Sequence, residues 1–165
     1  MKTKLLIFPS ILLFTFIIAY FTLDYFNNRN QLLISKTKDI YMPGIELSIN
    51  LHNKLTATKR SFQDIVASDN ELILERTDSI AESFVKLCAE LNKKPDYYTF
   101  TDSILFLYHK YYKNARLVSK KMLEEDFSET VHVKIILMHT QYSQVESLII
   151  RLKNNSKKQA DIQKN

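Results

Sequence analysis

Residues 97–122, YYTFTDSILFLYHKYYKNARLVSKKM, decide the fold, because apolar and aromatic side chains recur in them at intervals of three and four. The recurring positions are Tyr97, Thr101, Ile104, Tyr108, Tyr111, Ala115, Val118 and Met122. This spacing follows the 3.6-residue period of an α-helix. It predicts one long amphipathic helix that buries a single face.

Three other segments carry the same pattern, over Ile40 to Ile65, Ile73 to Leu91 and Val131 to Leu152. Ser68 to Glu71 matches an N-terminal capping box and predicts the start of the second helix, and Ser128 is the predicted N-cap of the last. One glycine and three prolines in the whole chain are too few for a sheet protein with many tight turns. We therefore predict an all-α fold, an antiparallel up-down-up-down four-helix bundle preceded by a transmembrane helix.

The transmembrane helix is predicted from Leu5 to Leu23, a run without a charged residue. At about 1.5 Å per residue it would span roughly 28 Å, close to the ~30 Å hydrocarbon thickness of a bilayer. Tyr25 and Phe26 follow, where aromatic rings settle among lipid headgroups. A cleaved signal peptide is the alternative, but bulky aromatic residues follow Ala19 where a cleavage site needs small ones. We expect an uncleaved anchor.

These patterns divide the chain into four predicted parts. Residues 1–26 form a cytoplasmic tip and transmembrane anchor, 27–42 a helical stalk, 43–156 the four-helix bundle, and 157–165 a polar basic tail near the membrane. The last helix would need to reach roughly residue 171 to return to the bilayer, so we expect a second membrane helix about where the sequence stops.

The charge distribution restricts the partners. The net charge is +5, but it lies at the two ends, and residues 5–150 carry a net charge of −1. Basic ends beside an apolar segment indicate contact with membrane lipid and not with nucleic acid. A single glycine also excludes the Rossmann and Walker phosphate-binding motifs, which need two or three.

Three stretches resemble a known family: YMPGIELS at 41–48, FQDIVASD at 62–69 and YYKNARLVSKKM at 111–122. They are similar to the extracytoplasmic four-helix-bundle sensor modules of bacterial transmembrane receptors, namely methyl-accepting chemotaxis proteins, sensor histidine kinases and membrane-bound diguanylate cyclases. The chain departs from that family by lacking a second membrane helix, signal-relay helices and an effector domain.

The resemblance implies a location and a function. It implies a single-pass protein of the bacterial inner membrane, with the N-terminus in the cytoplasm and the bundle in the periplasm or outside the cell. It implies a homodimer formed through the first helix of the bundle. This dimer would sense a small periplasmic ligand or a periplasmic protein and pass the signal on by helix displacement. The alternatives are a structural or regulatory partner of a receptor and a secreted helical binding protein.

The resemblance also implies a ligand site in the membrane-distal half of the bundle, where arginines of family members contact a carboxylate. Lys59, Arg60 and Arg76 are the candidates here, and the alternative for each is solvated helix surface. The chain's tyrosines could line an aromatic pocket or simply pack in the core.

No catalytic or metal site is predicted. His132 and His139 lie about 10 Å apart along one helix, too far to share an ion unaided. The sequence offers no nucleophile motif and no acid pair, so we expect a non-enzyme without a cofactor. Cys88 is the one cysteine, and its role stays open.

Overall fold

The computed structural model describes residues 2–70 and 72–162, with the side chains of all of them except residues 2–11 and 95. Within these ranges every regular element is helical and there is no strand, so the predicted all-α class is confirmed. The elements are α1 (Lys2–Lys36), a π-helical turn (Thr37–Tyr41), α2 (Met42–Ser68), α3 (Ile73–Asn92), a 3-10 turn (Pro95–Tyr97), α4 (Tyr98–Leu123) and α5 (Glu129–Ile162).

The four helices α2 to α5 pack into a helical bundle, with α4 against α5 and α2 against both α3 and α5. The buried faces follow the predicted stripes in α2, α4 and α5, whereas α3 buries Leu74, Ala81 and Cys88 in place of the predicted Ile73, Ile80 and Leu87, which are only half-buried. The fully or almost fully buried large side chains include Leu51, Leu55, Ile65, Phe84, Leu91, Ile104, Tyr108, Tyr111, Ile149 and Leu152. Burial of these apolar side chains is the main force that holds the helices together.

The π-helical turn joins α1 to α2 without breaking the helical path. The backbone N–H of Met42 donates to the carbonyl of Thr37, five residues back. Pro43 has no N–H, so the Asp39 carbonyl lacks its usual donor four residues on. The ammonium of Lys94, between α3 and α4, donates to that carbonyl at 2.5 Å. A side chain from elsewhere in the fold thus replaces the missing helical hydrogen bond.

The junction of α2 and α3 differs from the prediction. Helix α2 ends at Ser68, and its C-cap residue Asp69 has a left-handed φ of 49°. The predicted capping box at Ser68 is wrong, because α3 begins after Leu72 and has no side-chain cap. The Ser68 hydroxyl instead donates to the carbonyl four residues back, and the Asn70 side chain accepts the Leu72 N–H at 3.0 Å. Glu71 lies outside the described residues.

The predicted membrane anchor requires a correction. Among the described residues, no helix carries an apolar stretch long enough to cross a bilayer. This finding overturns the predicted single-pass inner-membrane location with a cytoplasmic N-terminus. Leu12 to Leu23 is the part of the predicted span whose side chains the structure describes. The remainder of the predicted span, residues 5–11, lies outside the described side chains, and residues 1 and 163–165 lie outside the described chain.

Candidate ligand cavity

A half-open cavity of about 350 Å³ lies between α2, α4 and α5. Its wall is largely apolar, with Phe62 and Val66 from α2, Tyr111 and Met122 from α4, and Ile135 and Met138 from α5. Its volume falls in the range of about 300 to 1,000 Å³ that is typical of small-molecule sites.

The helical period explains why these side chains meet. Phe62 and Val66 are four residues apart on α2, as are Ile135 and His139 on α5, so each pair lies on one helix face. Ser119 of α4 also lines the cavity, so a larger side chain at this position would extend into it.

Tyr111 differs from the other tyrosines of the core. Its side chain is only 2% exposed, and burial raises its pKa. Tyr108 bonds to Thr58 at 3.1 Å and Tyr112 donates to Asp78, but the Tyr111 hydroxyl has no hydrogen-bond partner among the described residues. Among the described residues, the buried side-chain atoms without a partner are His52 Nδ1 and Asn92 Oδ1, so the Tyr111 hydroxyl oxygen is accessible from the half-open cavity. It can therefore donate to an acceptor placed there.

The charged groups at the cavity are basic. The Lys59 ammonium lies 4.6 Å from the centroid of the Tyr142 ring, in a cation–π contact. His139 also lines the cavity, on its exposed side, and no carboxylate does. The Tyr142 hydroxyl donates to Glu146 at 3.4 Å, so it is already engaged by an acceptor outside the cavity wall.

The three predicted ligand residues have separate positions. Lys59 lines the cavity, whereas Arg60 is exposed on α2, about 100° further round the helix. Arg76 is exposed on α3, which contributes no residue to the cavity wall. The structure thus brings Lys59 alone of the three to this site.

Sequence reasoning did not identify Ser119, Met138 or His139 as site residues. It did raise an aromatic pocket as one possibility, and Tyr111 and Tyr142 both line the cavity, with ring centroids 5.6 Å apart. The one sequence feature that could indicate a cavity was Ser119, a small polar residue between the apolar Val118 and Met122 of α4. A serine alone does not show which side chains of the other helices lie opposite.

A second polar cluster joins α3 to α4. Arg116 lies 2.5 Å from the Asp78 carboxylate, which also accepts the Tyr112 hydroxyl. Burial, together with the hydrogen bond to Asp78, raises the pKa of Tyr112 to about 12. The Arg116 pKa is raised too, by its hydrogen bond to Asp78. Tyr112 thus keeps its proton and Arg116 its charge at neutral pH, and their contacts with Asp78 fasten α3 to α4.

Cys88 is fully buried, and burial raises the pKa of its thiol to about 12. The thiol therefore stays protonated and packs as a small apolar side chain. In the described part of the chain, no three His, Cys, Asp or Glu side chains are grouped closely enough to hold a metal ion.

Comparisons with protein families, with curated proteins and with solved structures found no match to this chain. What the cavity does is therefore argued from its own geometry.

Proposed function

We propose that this chain is a signal-input module, an antiparallel up-down-up-down four-helix bundle that binds a small molecule between α2, α4 and α5. The observation that carries the proposal is the cavity of about 350 Å³ with the Tyr111 side chain in its wall. The resemblance of residues 41–48, 62–69 and 111–122 to bacterial sensor modules supports the same function.

A path for the signal starts in α5. This helix lines the cavity with Met138 and Tyr142 and continues for about 21 Å to Ser156. The Ser156 hydroxyl lies 3.1 Å from the Tyr97 hydroxyl, which in turn donates to the Ile40 carbonyl at 3.3 Å. Through these two hydrogen bonds, movement of α5 at the cavity would be transmitted to the π-helical turn that joins α1 to α2.

The expected movement is small. Packed helices shift by about 1 to 2 Å when a ligand favours one of two arrangements, because a close-packed core does not deform continuously. Ligand in the cavity would favour the arrangement in which α2, α4 and α5 fit around it. The output is the position of α1 relative to the bundle.

Ligand binding is testable with a panel of small molecules that contains neutral aromatics, aliphatic acids, aromatic acids and amines. At least one class should raise the melting temperature of the wild-type chain. Ser119→Leu, which fills the cavity, should abolish that shift. Ser103→Leu is the matched control, since Ser103 is exposed on the same helix and should leave the shift intact. A panel without a hit, or a hit that Ser119→Leu does not affect, would contradict the proposal.

The homodimer implied by the resemblance stays a proposal. The large apolar side chains of α1 between Leu12 and Phe26 are exposed in the single chain, so a second copy could cover part of them. Analytical ultracentrifugation of the full chain would show a dimer, and a chain lacking residues 1–36 would sediment as a monomer. A monomeric full chain would rule out this association.

A further inference from the structure

We propose that the cavity selects a small aromatic carboxylate of one or two fused rings, with Lys59 and Tyr111 holding the carboxylate. This inference rests on the proposed function and specifies its ligand. Three features of the cavity point to it: aromatic walls, a basic group without an acidic partner among the described residues, and a hydroxyl in the wall that makes no hydrogen bond to them.

The walls favour a flat ring. Phe62, Tyr111 and Tyr142 present aromatic surface from three different helices. The Tyr111 and Tyr142 rings meet edge to face, an arrangement that a further ring can extend by offset or edge contacts. Met122 and Met138 complete the wall with flexible thioethers, which adapt to the outline of a ring and contact it favourably.

The charge favours an anion. Lys59 makes no ion pair among the described residues, and its ammonium contacts the Tyr142 ring. Glu146 accepts a hydrogen bond from the Tyr142 hydroxyl and does not line the cavity. A ligand carboxylate beside Lys59 would form a charge-assisted hydrogen bond in a partly dry site, where such bonds are strongest.

The number of donors favours a single negative charge. One ammonium and one hydroxyl in the cavity wall, those of Lys59 and Tyr111, match the two oxygens of a carboxylate. A phosphate ester carries more charge and usually meets several basic groups, and the other basic residue of the wall, His139, lies on the exposed side of the cavity. The cavity volume of about 350 Å³ accepts one or two rings with their carboxylate.

The test is calorimetric titration of the full chain with 2-naphthoate and with its neutral counterpart, 2-naphthamide. The wild type should bind the carboxylate at least about tenfold more tightly than the amide. Lys59→Met should remove that preference and leave amide binding within about twofold, because the ring contacts remain. Tyr111→Phe should weaken carboxylate binding by about tenfold while preserving the ring surface.

Lys110→Met is the matched control. Lys110 also lies over an aromatic ring, that of Phe106 at 4.0 Å, but it is exposed on α4 and does not line the cavity. This variant should retain the full preference for the carboxylate. Circular dichroism should show the same helix content and melting temperature, within a few degrees, for all the variants compared.

Equal affinities of the wild type for the two probes, or a preference that survives Lys59→Met, would overturn the inference. Failure of both probes would overturn it as well. If compounds of another class then bind the wild type and not Ser119→Leu, the ligand class is wrong and the proposed signal-input function stands. If no class binds, both are wrong.

Discussion

The side chain of Tyr97 occupies the space that a Cβ on Gly44 would need. An ideal Cβ at Gly44 would overlap the Tyr97 hydroxyl and lie 2.9 Å from the Ser156 hydroxyl oxygen. Gly44 is the single glycine of the chain, and it stands at the start of α2, where the loop before α4 and the end of α5 meet. Its lack of a side chain lets the three segments approach closely enough for the Tyr97–Ser156 hydrogen bond to form.

Gly44→Ala should therefore destabilise the fold by about 1 to 3 kcal/mol, because overpacking here outweighs the helix propensity that alanine gains. The measurement is the free energy of unfolding in urea. Glu46→Ala, an exposed change two residues along the same helix, is the control and should alter it by no more than about 0.5 kcal/mol. An equal or higher stability for Gly44→Ala would show that Tyr97 moves aside freely.

Tyr108→Phe tests the buried hydrogen bond at the centre of the bundle. The Tyr108 side chain is 1% exposed, stacks on Phe84 at 3.8 Å and bonds to the Thr58 hydroxyl at 3.1 Å. Phenylalanine keeps the stack and loses the hydrogen bond, so the expected loss of stability is about 1 kcal/mol. Tyr98→Phe, an exposed control, should change stability little. Equal losses of stability for Tyr108→Phe and Tyr98→Phe would show that the Tyr108–Thr58 hydrogen bond does not stabilise the fold.

The stability of the fold should fall at alkaline pH. Burial, and next the hydrogen bond to Asp78, raise the pKa of Tyr112 from its ordinary value of about 10 to about 12. The folded chain therefore holds this proton more tightly than the unfolded chain does, and the associated stability is lost as pH rises from about 10 to about 12. Burial raises the pKa of Tyr108 and Tyr111 in the same direction.

Urea unfolding between pH 8 and pH 11.5 measures this effect. The wild type should lose stability above about pH 10, and Tyr112→Phe should lose it less steeply because one titrating group is gone. Tyr98→Phe serves again as the control and should follow the wild type. A decline of the same slope in Tyr112→Phe would show that Tyr112 does not contribute.

The sequence predicted the helices and their buried faces because both follow from local periodicity. The α4 stripe illustrates this: Tyr97, Thr101, Ile104, Tyr108 and Tyr111 are all buried. The same reasoning missed the π-helical turn. Pro43 signals a missing donor, but the side chain that replaces it, Lys94, lies 55 residues from Asp39 along the chain. The spacing of apolar residues at intervals of three and four reveals only neighbours within one helix, so it cannot predict a contact between residues so far apart along the chain.

The candidate site was predictable only in part. Lys59 was proposed from the resemblance and lines the cavity, but Arg60 and Arg76 were proposed on the same basis and lie exposed elsewhere. A cavity is space left unfilled by several helices at once, so no single helix reveals it. The expectation of a membrane anchor at Leu5 to Leu23 came from hydropathy alone and was overturned by the described helices.

The central claim is that a ligand in the cavity displaces α5 against α2, and a distance measurement between spin labels tests it most directly. Labels at Asn53→Cys on α2 and Ser147→Cys on α5 occupy exposed positions, and Cys88→Ala removes the native thiol. A compound that raises the melting temperature of the wild type and not of Ser119→Leu should shift the mean label distance by about 1 to 2 Å. The same compound should leave it unchanged when Ser119→Leu is added to the labelled chain. An unchanged distance at saturating ligand would contradict the account, because binding would then carry no signal along α5.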